Sequence, residues 1–239
     1  MSQEFEVGEC TGFNLTRRGF IGGVVGGVIT ACSKGEKGVS MNAEQTETNG
    51  GEYPSHEVIA TVYWVGEGAT ADNDYISNVP TAWDEHAVER FGGVDDPAGR
   101  NFEPKHNTFY VALPASEFDE SGLIKGAHEA SPWADEELVE GESLFKGRWL
   151  ELRSGGETTY AQWHDVGPNV EDDYGYVFGE GEPTNTFGEH AGIDLSPDVA
   201  KFLGLQGSGV VSWCFIDTEK VPDGPWKTYP ALDNKTYWG

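Results

Sequence analysis

Cationic side chains are scarce in this chain: 15 lysines and arginines stand against 41 aspartates and glutamates, for a formal charge of -26 over 239 residues. So acidic a surface repels phosphodiester backbones and anionic lipid headgroups, which excludes nucleic acid and a charged bilayer face as partners. Cysteine is nearly absent too, with three residues at positions 10, 32 and 214. No disulfide framework is available, so stability must come from an ordinary apolar core. No apolar run reaches the roughly 20 residues that a membrane-spanning helix needs. The six histidines, at 56, 86, 106, 128, 164 and 190, show neither H-x-x-x-H nor Cys-His ligand spacing. Asp72-Asn73-Asp74 opens like a calcium loop but lacks the glycine and the closing glutamate at the required offsets. The expectation is therefore no resident metal or other cofactor, and no serine or cysteine nucleophile motif occurs.

What is present begins with Thr16-Arg17-Arg18-Gly19-Phe20-Ile21, then a weakly apolar, glycine-rich run ending at Ile29-Thr30-Ala31-Cys32. A buried core helix accounts poorly for it, because Gly22, Gly23, Gly26 and Gly27 would each cost about 1 kcal/mol against alanine. Paired arginines, a short apolar run and a small-small-Cys terminus, in that order, resemble a twin-arginine export signal closed by a lipobox. The resemblance implies that residues 1–31 are a removed signal peptide and that Cys32 carries lipid. The chain would then be exported already folded and lipid-anchored at the cell envelope or surface, meeting the membrane through that anchor alone. Residues 32–54 have almost no apolar side chains and no periodicity, and read as a flexible tether. Residues 55–239 are of a length for one domain.

The domain opens on Val58-Ile59-Ala60-Thr61-Val62-Tyr63-Trp64-Val65, a strand by its β-branched and aromatic content. Residues 66–145 are irregular and read as a large loop-rich insertion, with short helices expected at Ala82–Arg90 and Pro132–Glu140. Arg148–Arg153 and Thr158–Asp165, joined through Ser154-Gly155-Gly156, form a hairpin by pattern. Strict alternation sets Ala161, Trp163 and Asp165 on one face and Tyr160, Gln162 and His164 on the other, which argues against a His164–Asp165 dyad. Ser196 and Pro197 start a helix that Gly204 ends, with Val199, Phe202 and Leu203 on its buried side. Gly209–Ile216 is the last strong strand, and there Cys214 reads as a small buried hydrophobe. The proline-rich segment 221–239 is expected to pack over the domain through Trp226, Tyr229 and Trp238. No internal repeat is visible.

Two short carboxylate motifs carry the chemistry: His164-Asp165-Val166-Gly167-Pro168 and Ala191-Gly192-Ile193-Asp194-Leu195-Ser196-Pro197. With Lys146-Gly147-Arg148-Trp149-Leu150-Glu151-Leu152 before them and the helix and strand after, they resemble the signature of the double-psi β-barrel. That fold is shared by rare-lipoprotein-A-like wall proteins, expansins and family-45 endoglucanases. The resemblance is most specific over residues 146–216. It implies a mainly β, six-stranded double-psi barrel with a large insertion and one or more short helices. It also implies a cell-envelope polysaccharide, murein or another wall glycan, as partner. Asp165 matches the functional acid of the lytic transglycosylases, and Asp194 the acid or binding carboxylate of the endoglucanases and expansins.

The chain departs from those families at two positions. Tyr63-Trp64 is followed by Val65 where the endoglucanases have a second carboxylate, and Tyr110 stands before Leu113-Pro114 where the wall-lytic relatives have a histidine. Inverting hydrolysis needs both an acid and a base. A lytic transglycosylase needs one acid, because the sugar's own hydroxyl closes on the anomeric carbon. An aspartate serving as that acid near neutral pH must be raised several units from about 3.9, by burial or by a neighbouring carboxylate. Asp165 as proton donor, with Asp194 raising it or binding substrate, is one expectation; a non-catalytic, expansin-like binding module is another. A structural surface lipoprotein that holds a protein partner is a third. Structural uses stay open as well: turn hydrogen bonds for Asp165 and anchorage of the helix start for Asp194. Of eight tryptophans most belong in a core. Trp64 and Trp163, beside the motif strands, are candidates for stacking on sugar rings, with Tyr63, Tyr174 and Tyr176.

Overall fold

A computed structural model describes residues 53–73 and 75–238. The expected signal, Cys32 and most of the tether lie outside the described residues. Among the described residues are eight strands: β1 (Ser55–Val62), β2 (Tyr110–Leu113), β3 (Phe118–Asp119), β4 (Gly122–Leu123), β5 (Trp149–Ser154), β6 (Glu157–Val166), β7 (Ile193–Leu195) and β8 (Gly209–Ile216). Six of them close into a barrel in the order β1-β7-β2-β6-β5-β8, and β3 and β4 form a separate two-stranded ribbon. The helices are short: α1 (Ala87–Phe91), α2 (Lys125–Ala130), α3 (Tyr174–Val177) and α4 (Pro197–Phe202). The fold is mainly β, as expected.

Pairing in the barrel is mixed. β1 with β7 and β2 with β6 run parallel; the other four contacts are antiparallel. Exchanging β1 with β6, β2 with β7 and β5 with β8 leaves this pattern unchanged. The first three barrel strands and the last three are thus equivalent halves, interlaced so that each lends a strand to the other's parallel pair. This is compatible with a double-psi barrel. It is a repeat of topology without a repeat of sequence.

Alternation along the strands fills the barrel. Val58 and Ala60, Val111 and Leu113, Leu150 and Leu152, Ala161 and Trp163, Ile193 and Leu195, and Val211, Trp213 and Phe215 all belong to one buried cluster. Trp163 lies flat on Phe145, with centroids 5.0 Å apart. The opposite face of β2 is covered as well: Tyr110 and Ala112 pack with Tyr63, Val65, Ala87, Phe91 and Leu232 in a second cluster.

That double covering corrects the reading of 66–145 as one insertion. All four residues of β2 are buried, so the strand shows no polar alternation, yet it lies between β7 and β6 in the barrel. Two excursions flank it. The expected Ala82–Arg90 helix is the shorter α1, ended by Gly92 in the left-handed region at φ 103°. Pro132–Glu140 forms turns, not a helix, because Trp133 is drawn into the core against Tyr53, Phe145 and Phe215; α2 precedes it. The hairpin and α4 match expectation. Gly155 and Gly156 make the two-residue turn with φ 58° and 90°, and the Ser196 side chain accepts from the Val199 amide at 3.3 Å. Segment 221–238 packs through Trp226, against Phe109, Tyr160 and Phe202, whereas Trp238 stays open to solvent.

Since Trp163 is inaccessible and stacked at the barrel centre, Trp163→Ala is expected to cost about 3–5 kcal/mol of unfolding free energy, measured by urea denaturation.

Candidate functional site

Register brings the two motif carboxylates together. Ala112 pairs with Asp165 across the parallel β2–β6 contact and with Asp194 across the antiparallel β2–β7 contact, and Asp194 in turn pairs with Thr61. Residues directly opposite in a sheet point to the same face. Thr61, Asp194, Ala112 and Asp165 therefore form one row on the outside of the barrel. Strand spacing sets the two aspartate Cα atoms about 10 Å apart, over the small side chain of Ala112.

The row depends on an irregularity. Between Val111 and Ala112 the β2–β6 register slips, and His164 is the extra residue on β6. A bulge of this kind breaks strict alternation and turns two successive side chains to one side. Trp163 stays inside and Val166 returns to the core, while both His164 and Asp165 point outward. The expected opposition of His164 and Asp165 is thereby corrected. No dyad forms even so: the imidazole packs against Tyr110 and Phe91, and its Nδ1 has no hydrogen-bond partner. Burial, with Lys146 nearby, pushes its pKa down to about 3, so it is neutral.

Asp165 is only 5% exposed. Its Oδ1 accepts from the Ala82 amide at 2.7 Å and from its neighbour Val166 at 2.9 Å. With Oδ1 committed to two donors, the proton of the neutral acid belongs on Oδ2. Burial raises the pKa to about 7; the two amides oppose the rise, and Asp194 and Glu171 add to it. Asp194 is half-buried. Its Oδ1 accepts from the Thr61 hydroxyl, and its Oδ2 faces Gly167, where a Cβ would stand 3.6 Å away. Desolvation lifts it to about 6, opposed by Thr61 and assisted by Glu67. The Tyr63 hydroxyl is buried without a hydrogen-bond partner. Burial first, then Asp165 and other nearby groups including Asp194, hold its pKa well above 10, so it remains a donor.

The other aromatic candidates lie elsewhere. Trp163 is in the core, and so is Tyr176, whose hydroxyl accepts from Trp213 Nε1 at 2.9 Å. Tyr174 is half-buried, parallel to Phe178, and donates to the Ser116 carbonyl. Trp64 lines a separate groove of about 770 Å³ with Arg100, Asp198 and Lys201, which contains neither carboxylate. Of the five, only Tyr63 adjoins the pair. Tyr110 is bound into the frame: its hydroxyl donates to Asp95 at 3.1 Å and accepts from the Val65 amide at 3.0 Å. Arg100 links Asp95 to Asp198. Ala82 and Ala112 were missed by sequence reasoning, because an amide donor and a spacer leave no motif. Among the described residues no group of three or more His, Cys, Asp or Glu is placed to hold a metal ion, and no helix is long and apolar enough to cross a membrane. No known protein family matches the chain, and no curated protein is detectably similar to it.

Two carboxyls titrating near neutrality couple the site to stability. Asp165 has a folded pKa of about 7 against an ordinary 3.8, so between those values the folded state holds the extra proton and stability falls as pH rises. Above pH 7 the cost is on the order of 4 kcal/mol. Asp165→Asn removes it while keeping an acceptor for Ala82 and Val166. The variant is expected to exceed the unsubstituted protein in stability at pH 8 but not at pH 3.5; an equal difference at both pH values would contradict the raised pKa.

Proposed function

We propose that this chain is an exported, lipid-anchored envelope protein of the rare-lipoprotein-A or expansin type, acting on a wall polysaccharide, with Asp165 as proton donor. The observation that carries the reading is the Asp165–Ala112–Asp194 row, a buried acid with a pKa of about 7 beside a second carboxyl at about 6. An acid still protonated near neutrality is what protonation of a glycosidic oxygen demands. Transfer goes from Asp165 Oδ2 to the glycosidic oxygen as its bond to the anomeric carbon breaks. A hydroxyl of the same sugar closes on that carbon, and its proton returns the site to the starting state. Asp194 disfavours ionisation of Asp165 and accepts hydrogen bonds from sugar hydroxyls. The acidic charge suits a neutral polymer better than a phosphate-bearing one. Thr16–Cys32 supports export and lipidation at Cys32.

Two observations favour a non-catalytic binding module instead. Asp165 is 5% exposed, and Tyr110, in place of a catalytic histidine, is bonded into a buried frame. Mass spectrometry of soluble products from murein sacculi and from β-glucan separates the two readings. Anhydro-sugar products that disappear in Asp165→Asn are expected. Polymer binding without products from either substrate would make the chain a binding module. Because the donor must be protonated, product formation is expected to decline as pH rises through about 7, the Asp165 value.

A further inference from the structure

Trp238 is 54% exposed, the one tryptophan among the described residues that is more than half open to solvent. Exposure by itself means little, but this indole is held in a particular place. Its Nε1 donates to the Ala82 carbonyl at 3.2 Å, and the Ala82 amide donates to Asp165 Oδ1 at 2.7 Å. A single residue therefore separates the indole from the carboxyl. The two hydrogen bonds and the reach of one residue limit the indole nitrogen to about 10 Å from Asp165.

The segment that carries Trp238 is fixed by its own contacts. Tyr237 bridges in parallel to Asp84, takes the Trp83 carbonyl at 2.8 Å and receives the Glu85 amide at 3.2 Å. Its hydroxyl donates to Asp233 at 2.6 Å, and the Arg90 guanidinium lies 3.9 Å over its ring. With the neighbouring residue so held and its own N–H satisfied, the indole presents apolar surface to solvent and loses little freedom on stacking.

We propose that Trp238 is the aromatic platform on which a neutral sugar ring stacks beside Asp165, a role that neither Trp163 nor Trp64 can fill from its position. The inference rests on the polysaccharide reading above and names where that polymer is held. Nucleobases, aromatic side chains, organic cations and the C–H faces of pyranose rings all pack on an indole, and the polysaccharide reading selects the last. A charge of -26 opposes the phosphates that accompany nucleobases. Among aromatic side chains only tyrosine carries a hydroxyl, and a single one, to donate to the adjacent acids. Sugar rings supply both the apolar face and the hydroxyls.

The test compares the full chain with Trp238→Ala and Trp238→Phe in cosedimentation with murein sacculi and with insoluble β-glucan. In parallel, the Asp165 carboxyl is titrated by ¹³C NMR, its signal identified by its loss in Asp165→Asn. Trp238→Ala is expected to weaken binding about tenfold, and Trp238→Phe to restore most of it, with the Asp165 titration midpoint unchanged in both. Undiminished binding by Trp238→Ala, where the unsubstituted protein binds, overturns the platform and leaves the polysaccharide reading standing. Weaker binding accompanied by a moved Asp165 midpoint also overturns it, since the indole would then act through Ala82. If the unsubstituted protein sediments with neither polymer, the polysaccharide reading fails and the platform with it.

Discussion

The site depends on one pairing. Ala112 sits between two strands of opposite sense, parallel to β6 and antiparallel to β7, and so holds Asp165 and Asp194 in a single lateral row. Neither carboxylate touches the other directly. Their relation is set by backbone hydrogen bonds between barrel strands, and loops contribute the Ala82 donor and the surrounding cover. A methyl side chain at this position leaves room between the two acids; a larger one would fill that space. The β6 bulge completes the arrangement, because without His164 as an extra residue Asp165 would fall to the other face or out of register with Ala112.

Burying two acids on the outside of a barrel needs a second layer. The cluster of Tyr63, Val65, Phe91, Tyr110 and Leu232 supplies it, and the Asp95–Arg100–Asp198 bridge ties that layer to α4. At the site, desolvation raises both carboxyls, Asp165 to about 7 and Asp194 to about 6. The same covering leaves the Tyr63 hydroxyl without a partner, a cost of about 1–3 kcal/mol that the frame absorbs.

What was legible in the sequence was local. The β5–β6 hairpin announced itself through two glycines, α4 through Ser196 and Pro197, and β8 through an apolar run. Each signal resides in the residues that form the element. β2 was hidden because four residues buried on both faces carry no periodicity, so its stretch read as part of an insertion. Asp165 and Asp194 were found by motif, but their alignment through Ala112 arises from pairings between distant segments. The assignment of faces around His164 failed for a related reason: one extra residue inverts alternation, and nothing in the local pattern announces it. Among the aromatics, position next to a motif strand was a poor guide. Trp163 faced inward by alternation, and Trp238 reached the neighbourhood of Asp165 from far along the chain.

Interlacing of the two topological halves also governs how such a chain can be made. β1 finds its neighbours only in Ile193–Leu195 and Gly209–Ile216, so during synthesis its edges stay unpaired until almost the whole domain has emerged. No half-barrel can close beforehand, since each half needs a strand of the other. Assembly of this kind is slow, because distant loops must be closed before any pairing rewards them. A truncated chain ending before β8 would leave β1 and β5 each with one edge open, which makes a nascent or clipped product a substrate for chaperones and proteases before it is a partial fold.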